Sequence, residues 1–173
     1  MPKIRTFEDL FVDELKDLYN AEQQLTRALP RMAKAATTPQ LKKAIEEHLE
    51  VTREQVRRLE QVFEEIGAPA KGKTCQAMKG LIEEGQELVK EGMESEVLDA
   101  GIIGAAQRVE HYEIAGYGTV RAMAETLGHK RAVKLLDQTL KEEKAADEKL
   151  TRIAESIVNV RAVEVGASSE EEE

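Results

Sequence analysis

The stretch AAQRVEHYEIAGYGTV, residues 105–120, decides the fold because acidic residues interrupt its apolar stripe. Ala106 and Tyr117 recur at the spacing of one helical face, and Glu110 and Glu113 occupy the turns between them. A helix that buries this face carries both carboxyl groups into the protein interior. The stretch therefore predicts a long helix with acidic groups at the centre of its buried side.

The same interruption occurs in two other helical stretches. Glu22 lies among the leucines of a stripe near the N-terminus, and Glu143 and Asp147 lie among those of a stripe near the C-terminus. Residues three or four apart on a helix are neighbours on its surface. If the last two helices fold back on each other, Glu110 comes opposite Asp147 and Glu113 opposite Glu143. The acidic positions are therefore expected to meet at mid-height.

Hydrophobic periodicity predicts four long helices, over about residues 6–36, 38–66, 95–127 and 129–160. The segment 71–92 is punctuated by four glycines and reads as a crossover that contains a short helix. Short links make the first pair and the last pair antiparallel, and a long crossover between the pairs is typical of ferritin-like bundles. We expect an all-α, ferritin-like antiparallel four-helix bundle over residues 1–160, followed by an acidic, disordered tail over residues 161–173.

Composition excludes several classes of partner. The 173 residues carry a net charge of -9, and no stripe of Lys and Arg is present, which argues against nucleic acid and anionic membranes. Cys75 is the only cysteine, so no intramolecular disulfide can form. The N-terminus lacks the apolar stretch of a signal peptide, and no apolar run approaches the roughly 20 residues of a membrane span. A cytoplasmic protein is expected.

Buried carboxylates need compensation, because desolvation costs several kcal/mol per ion and mutual repulsion adds to it. Cations are the usual solution, and oxygen ligands on a helical bundle suit Fe or Mn. Two alternatives stay open: single acidic residues can reach outward from the edge of a stripe, and Lys144 and Arg108 can neutralise some charge. The candidate metal ligands are Glu22, Glu110, Glu113, Glu143 and Asp147.

The second helix is the weakest part of this pattern. At the level of Glu22 it offers Thr52 and Gln55, which are poor ligands for a hard cation. His48 lies near the inner face about one turn away, and a lone core histidine is more often hydrogen-bonded than metal-bound. We therefore expect His48, Gln55 and Tyr117 to support the site from beside the metal.

Several longer runs resemble a known family. They are DLYNAEQQLTRALPRMAKA (17–35), EEHLEVTREQVRRLEQVF (46–63), AMKGLIEE (77–84), AAQRVEHYEIAGYGT (105–119) and TLKEEKAADEKLTRIA (139–154). They closely resemble the YciF/YciE-type bacterial stress-response proteins over almost the whole chain, up to about residue 156. The resemblance implies a ferritin-like fold related to rubrerythrin and a di-metal centre.

The ferritin-like pattern supplies a Glu from the first helix and Glu-x-x-His or Glu-x-x-Glu pairs from later ones. Glu22 matches the first position, Glu110 and Glu113 match the third-helix pair, and Glu143 matches on the fourth helix. The fourth-helix His position is Ala146, and both slots on the second helix hold neutral residues. The resemblance therefore implies a two-metal site with missing ligands.

Three functions fit these observations. The leading hypothesis is a homodimeric stress-response protein that binds one or two Fe or Mn ions and, if it is an enzyme, activates peroxide or dioxygen. The alternative is a metal-free structural or partner-binding bundle whose buried acids are protonated or ion-paired. The third is iron sequestration in a larger assembly.

Overall fold

A computed structural model describes the backbone of residues 4–170 and the side chains of residues 4–165. The regular secondary structure of the described residues is all helical, as the sequence predicts, and none of these helices is long and apolar enough to cross a membrane. The helices are α1 (Phe7–Ala35), α2 (Pro39–Glu65), α3 (Gln76–Lys90), α4 (Ser95–Leu127), α5 (Lys130–Ile153) and α6 (Asn159–Glu170). A π-helical turn, Ala154–Val158, joins α5 to α6.

The four long helices form the bundle in which every neighbour is antiparallel. Helices α1 and α2 make one hairpin, α4 and α5 make the other, and the hairpins pack α1 on α4 and α2 on α5. The crossover begins with residues 66–75, which run along α1. There the Cys75 amide donates a hydrogen bond to Asn20 Oδ1 over 2.8 Å. Helix α3 then lies against α1 and α4. The ferritin-like topology predicted from the long crossover is confirmed.

A buried carboxylate ties the α1–α2 turn to the start of α4. Asp99 accepts hydrogen bonds from the amides of Thr37 and Thr38 over 2.9 and 2.6 Å and from the Thr37 hydroxyl over 2.8 Å. Thr38 is the N-cap of α2, but its side chain makes no capping bond. Asp99 thus supplies the acceptor that fixes one end of the bundle.

The apolar core is divided into two clusters. The one at the α1–α2 turn end includes Leu25, Leu41, Ile45, Ile102, Val109 and Leu150, and the one at the α4–α5 turn end includes Phe11, Leu15, Leu59, Phe63, Val120 and Leu136. Between them lies a band of buried polar side chains, namely Glu22, Thr52, Gln55, Glu110, Glu113 and Glu143. The interruptions in the sequence pattern therefore correspond to an interruption of the core itself.

The helical backbone continues beyond the boundary expected near residue 160. Helix α6 extends to Glu170 and packs against α4. Residues 171–173, the end of the predicted acidic tail, lie outside the described part of the chain, and their disorder stays a prediction.

Two of the glycines inside α4 differ sharply in their surroundings. A Cβ atom on Gly116 would lie 2.7 Å from Cδ2 of Leu18 on α1, whereas a Cβ on Gly118 would meet nothing within 4 Å. Leu18 is buried, so its side chain has little room to move. Gly116 therefore permits the close approach of α1 and α4, and Gly118 does not serve that purpose.

These two positions give a matched test of helix packing. Gly118→Ala is expected to stabilise the protein by up to about 1 kcal/mol, because Ala has the higher helix propensity and the space is open. Gly116→Ala gains the same propensity but must displace Leu18, so its unfolding free energy should fall below that of Gly118→Ala. Urea unfolding measures both. Equal stabilisation by the two substitutions would contradict the close approach.

Candidate metal centre

Side chains from all four long helices meet between the two apolar clusters. Helix α1 contributes Glu22, α2 contributes His48, α4 contributes Glu110 and Glu113, and α5 contributes Glu143. The four carboxyl groups are nearly inaccessible to solvent, with at most 3% of any of these residues exposed. We refer to these five residues as the acidic centre.

The geometry of the centre is compatible with one shared ion. His48 Nε2 lies 3.2 Å from Glu110 Oε1 and 3.7 Å from Glu143 Oε2. One ligand atom each from His48, Glu110, Glu113 and Glu143 can be chosen so that all four lie within 4.8 Å of one another. Ligand bonds of about 2.0–2.2 Å to one ion allow ligand atoms to be up to about 4.4 Å apart. Small side-chain movements therefore suffice for coordination.

Glu22 joins the centre from the side of α1. Its Oε1 atom accepts a hydrogen bond of 2.5 Å from the Tyr117 hydroxyl, which is buried. Desolvation and then the charge of Glu22 raise the pKa of Glu113, so these two carboxyl groups interact across the centre. Tyr117 therefore holds Glu22 in position within the acidic centre.

Burial and mutual repulsion favour the protonated acids. Desolvation, followed by the charge of Glu143, raises the pKa of Glu22 to about 8. Desolvation raises the pKa of Glu110 to about 7. Desolvation and the neighbouring carboxylates also raise the pKa values of Glu113 and Glu143 well above the usual range. In the absence of a cation, the centre therefore holds protons near neutral pH.

No basic side chain in the described chain forms an ion pair with the four carboxyl groups of the acidic centre, although His48 lies beside two of them. Lys144 and Arg108, the basic residues that the sequence offers as counter-charges, are exposed. Arg58 is buried nearby, but it donates to Glu142 over 2.9 Å and to Thr139 over 2.6 Å. The structure thus leaves protons or metal ions as the means of neutralising the acids.

Many acceptors in the centre have no donor. When the acids are ionised, six buried carboxylate oxygens lack a hydrogen-bond partner: one each from Glu22 and Glu110, and two each from Glu113 and Glu143. Thr52 Oγ1, Gln55 Oε1 and His48 Nε2 are buried and unpartnered as well. Buried polar atoms in native proteins are nearly always satisfied. So many clustered acceptors indicate a missing donor or cation.

Helix α2 differs from its sequence-based expectation in one respect. Thr52 and Gln55 are fully buried beside the acids, and Gln55 Nε2 donates to Glu142 over 3.2 Å, so that only its amide oxygen is free. We expected His48 beside the metal. In the structure its Nε2 atom lies close enough to the carboxyl oxygens of Glu110, Glu113 and Glu143 for the four residues to hold one ion. The signal was present in the spacing, because His48 precedes Thr52 by four residues and Gln55 by seven, which places all three on one face.

Asp147, the remaining predicted ligand, lies outside the acidic centre. Its carboxylate accepts from Gln107 Nε2 over 3.1 Å and lies 3.1 Å from His111 Nε2, at the edge of the α4–α5 interface. Four residues along a helix turn through about 400°. Asp147 is therefore rotated about 40° from Glu143 and lies about 6 Å farther along α5, where it contacts Gln107 and His111 instead of the four carboxyl groups.

Comparison with known proteins agrees with this architecture. Residues 6–163 match the model of a family described as a domain of unknown function, DUF892. Protein YciF of Escherichia coli (strain K12) is 49% identical over 160 residues, which cover 92% of this chain and 96% of that protein.

Solved structures show the same fold. The crystal structure of the E. coli stress protein YciF matches with a TM-score of 0.87 and 49% identity, covering 90% of this chain and 99% of that one. YcfI from Rhodopseudomonas palustris matches with a TM-score of 0.85 and 49% identity, covering 87% and 96%. A protein from Xanthomonas campestris pv. campestris, with 21% identity and a TM-score of 0.73, shares the fold. The chain belongs to the DUF892 family, to which its sequence runs had pointed through their resemblance to the YciF type.

Proposed function

We propose that the acidic centre binds one or two Fe or Mn ions and that the protein serves in a bacterial stress response. The observation that carries the metal site is the set of six unpartnered carboxylate oxygens at the middle of the bundle. The similarity to the E. coli stress protein YciF supports the physiological setting.

The donor set fits such ions. His48, Glu110, Glu113 and Glu143 would hold one ion through three carboxylates and an imidazole, a ligand mixture that suits Fe and Mn. A second ion would lie toward α1, between Glu22 and Glu113. Two divalent ions would balance four carboxylates, whereas one ion would leave two negative charges for protons to cancel.

The protein's own groups define what such a centre can do. An ion held there would supply Lewis-acid or redox chemistry toward peroxide or dioxygen. Tyr117 holds Glu22 in place through its hydrogen bond, and the two apolar clusters restrict water on either side.

A metal-free structural or partner-binding bundle is the alternative. It is favoured by the deep burial of the four acids, because desolvation raises the pKa values of Glu22 and Glu110 and lets these groups stay neutral without a metal ion. The homodimer and the cytoplasmic location stay predictions from the sequence.

The first prediction concerns metal content. After anaerobic loading with Fe(II) or Mn(II) and removal of free metal, the wild-type protein should retain one or two ions per chain. Glu113→Gln should lower the occupancy at least tenfold, because Glu113 is the carboxylate that both proposed ion positions share. Asp147→Asn is the matched control, since it removes a carboxylate one turn from Glu143 but outside the centre, and it should load like wild type.

Folding can be separated from ligand loss in the same experiment. Metal-free Glu113→Gln should be at least as stable as metal-free wild type, because replacing a repelled buried acid removes an unfavourable interaction. A wild-type protein that retains no metal, or a Glu113→Gln variant that retains as much as wild type, would contradict the proposed site.

The second prediction concerns the pH dependence of the metal-free protein. Glu22 and Glu110 titrate near pH 8 and 7 in the folded state, above the ordinary value of 4.5, so the folded chain holds protons that the unfolded chain releases. Their contribution to stability is fully present below about pH 4.5 and is lost as the pH rises through 7 to 8. The unfolding free energy should therefore fall by about a few kcal/mol between pH 5 and pH 8.

Urea unfolding at several pH values measures this slope, and the double variant Glu110→Gln/Glu113→Gln is the control. The unfolding free energy of the double variant should change less with pH. Saturating Mn(II) should raise the unfolding free energy of the wild-type protein at pH 8, because it binds the folded chain. A metal-free wild type whose stability is unchanged or rises between pH 5 and pH 8 would show that the acids are not held protonated.

A further inference from the structure

A cavity of about 260 Å³ opens between α2 and α5 and reaches the acidic centre. His48 and Glu110 form its inner end. His48 is the one member of the centre with appreciable exposure, because 12% of its side-chain surface is accessible. The cavity is therefore a passage from the surface to the centre.

The walls of the cavity are mostly apolar, and alanines make up a large part of them. They comprise Ala44, Ile45, Val51, Ala106, Ala146 and Leu150. Ala146 occupies the position at which the ferritin-like pattern places a histidine, and the space that a larger side chain would fill is part of the cavity. Because position 146 is an alanine, α5 lacks the histidine ligand of the pattern and the cavity stays open at that point.

We propose that this cavity binds a small neutral molecule with an apolar body and one hydroxyl group, and that it delivers such a molecule to the metal site. The delivery part rests on the proposed function, whereas the binding part does not.

The size of the cavity limits the apolar body. A buried apolar cavity of about 150 Å³ is sufficient to bind benzene. A volume of about 260 Å³ therefore admits a single ring or a branched alkyl group with a short substituent. Larger drug-like molecules require cavities of about 300–1,000 Å³.

The inner end of the cavity selects the polar group. Glu110 Oε2 and His48 Nε2 are buried polar atoms without a hydrogen-bond partner, and each is an acceptor when it carries no proton. A hydroxyl group can donate its hydrogen to such an acceptor, or present its oxygen to a bound ion. A carboxylate or an ammonium group would lose its hydration between the apolar walls, which costs several kcal/mol for a buried charge, and an ammonium group is also repelled by a bound ion. A hydroxyl is compatible with both states of the centre.

The mouth of the cavity is crossed by an ion pair. Lys149 on α5 lies 2.5 Å from Glu47 on α2, and both side chains are nearly half exposed. Exposed pairs of this kind contribute little stability, so the pair can open readily.

Phenol is a suitable probe, and its binding to the full-length metal-free protein can be measured by ligand-detected NMR. Ala146→Leu should weaken phenol binding at least tenfold, because the added side chain fills the passage. Ala122→Leu, the same change at an exposed position of α4, should leave binding unchanged. Benzoate, which differs in carrying a charge, should bind at least tenfold more weakly than phenol.

In the Mn(II)-loaded protein, the phenol protons should relax faster in wild type than in Ala146→Leu, since only the open cavity brings them near the ion. Val51→Phe, which fills the cavity from α2, replaces Ala146→Leu if that variant does not fold. Equal phenol binding by wild type and the filled variants, or no binding by wild type, would overturn the inference. Failure to take up Mn(II) would instead reject the metal function and leave the phenol arm as the test of the cavity.

Discussion

The constraint on which this structure depends is that four carboxyl groups are buried together with no Lys or Arg partner among the described residues. Each carboxyl group interrupts the buried, otherwise apolar face of its helix. Together the four groups separate the core into two clusters. Desolvating one charged carboxylate costs several kcal/mol, and bringing four together adds repulsion. The bundle can tolerate this arrangement only if protons or cations neutralise it, which makes the centre of the molecule responsive to both.

The rest of the fold holds these groups in register. Antiparallel neighbours let each helix present residues at mid-height, while the ends are fixed separately: Asp99 secures the α1–α2 turn, and the fit of Leu18 against Gly116 sets the approach of α1 and α4. The acidic centre therefore does not have to stabilise the bundle. Two apolar clusters can perform that task, which leaves the middle of the molecule available for a polar site.

The sequence predicted the helices closely because apolar spacing and end signals agree with each other along this chain. It also placed Glu22, Glu110, Glu113 and Glu143 in the interior, because an acidic residue within a leucine stripe is buried when the helix packs that face against its neighbours. It was less informative about His48 and Asp147. Counting residues from a turn gives the depth of a side chain but neither its rotation about the helix axis nor its reach, and these decide which of two candidates enters a centre only a few ångströms wide.

The neutral positions Thr52, Gln55 and Ala146 distinguish this centre from a symmetric one with paired ligands on every helix. Thr52 and Gln55 give α2 uncharged oxygen atoms where the pattern has charged or imidazole ligands. Ala146 leaves space for the cavity beside α5. Anomalous diffraction from crystals of the Mn(II)-loaded protein tests the central claim most directly. The account predicts an anomalous peak within bonding distance of His48, Glu110, Glu113 and Glu143. Electron density that shows the four acids in direct contact, with any bound manganese elsewhere on the protein, would contradict it.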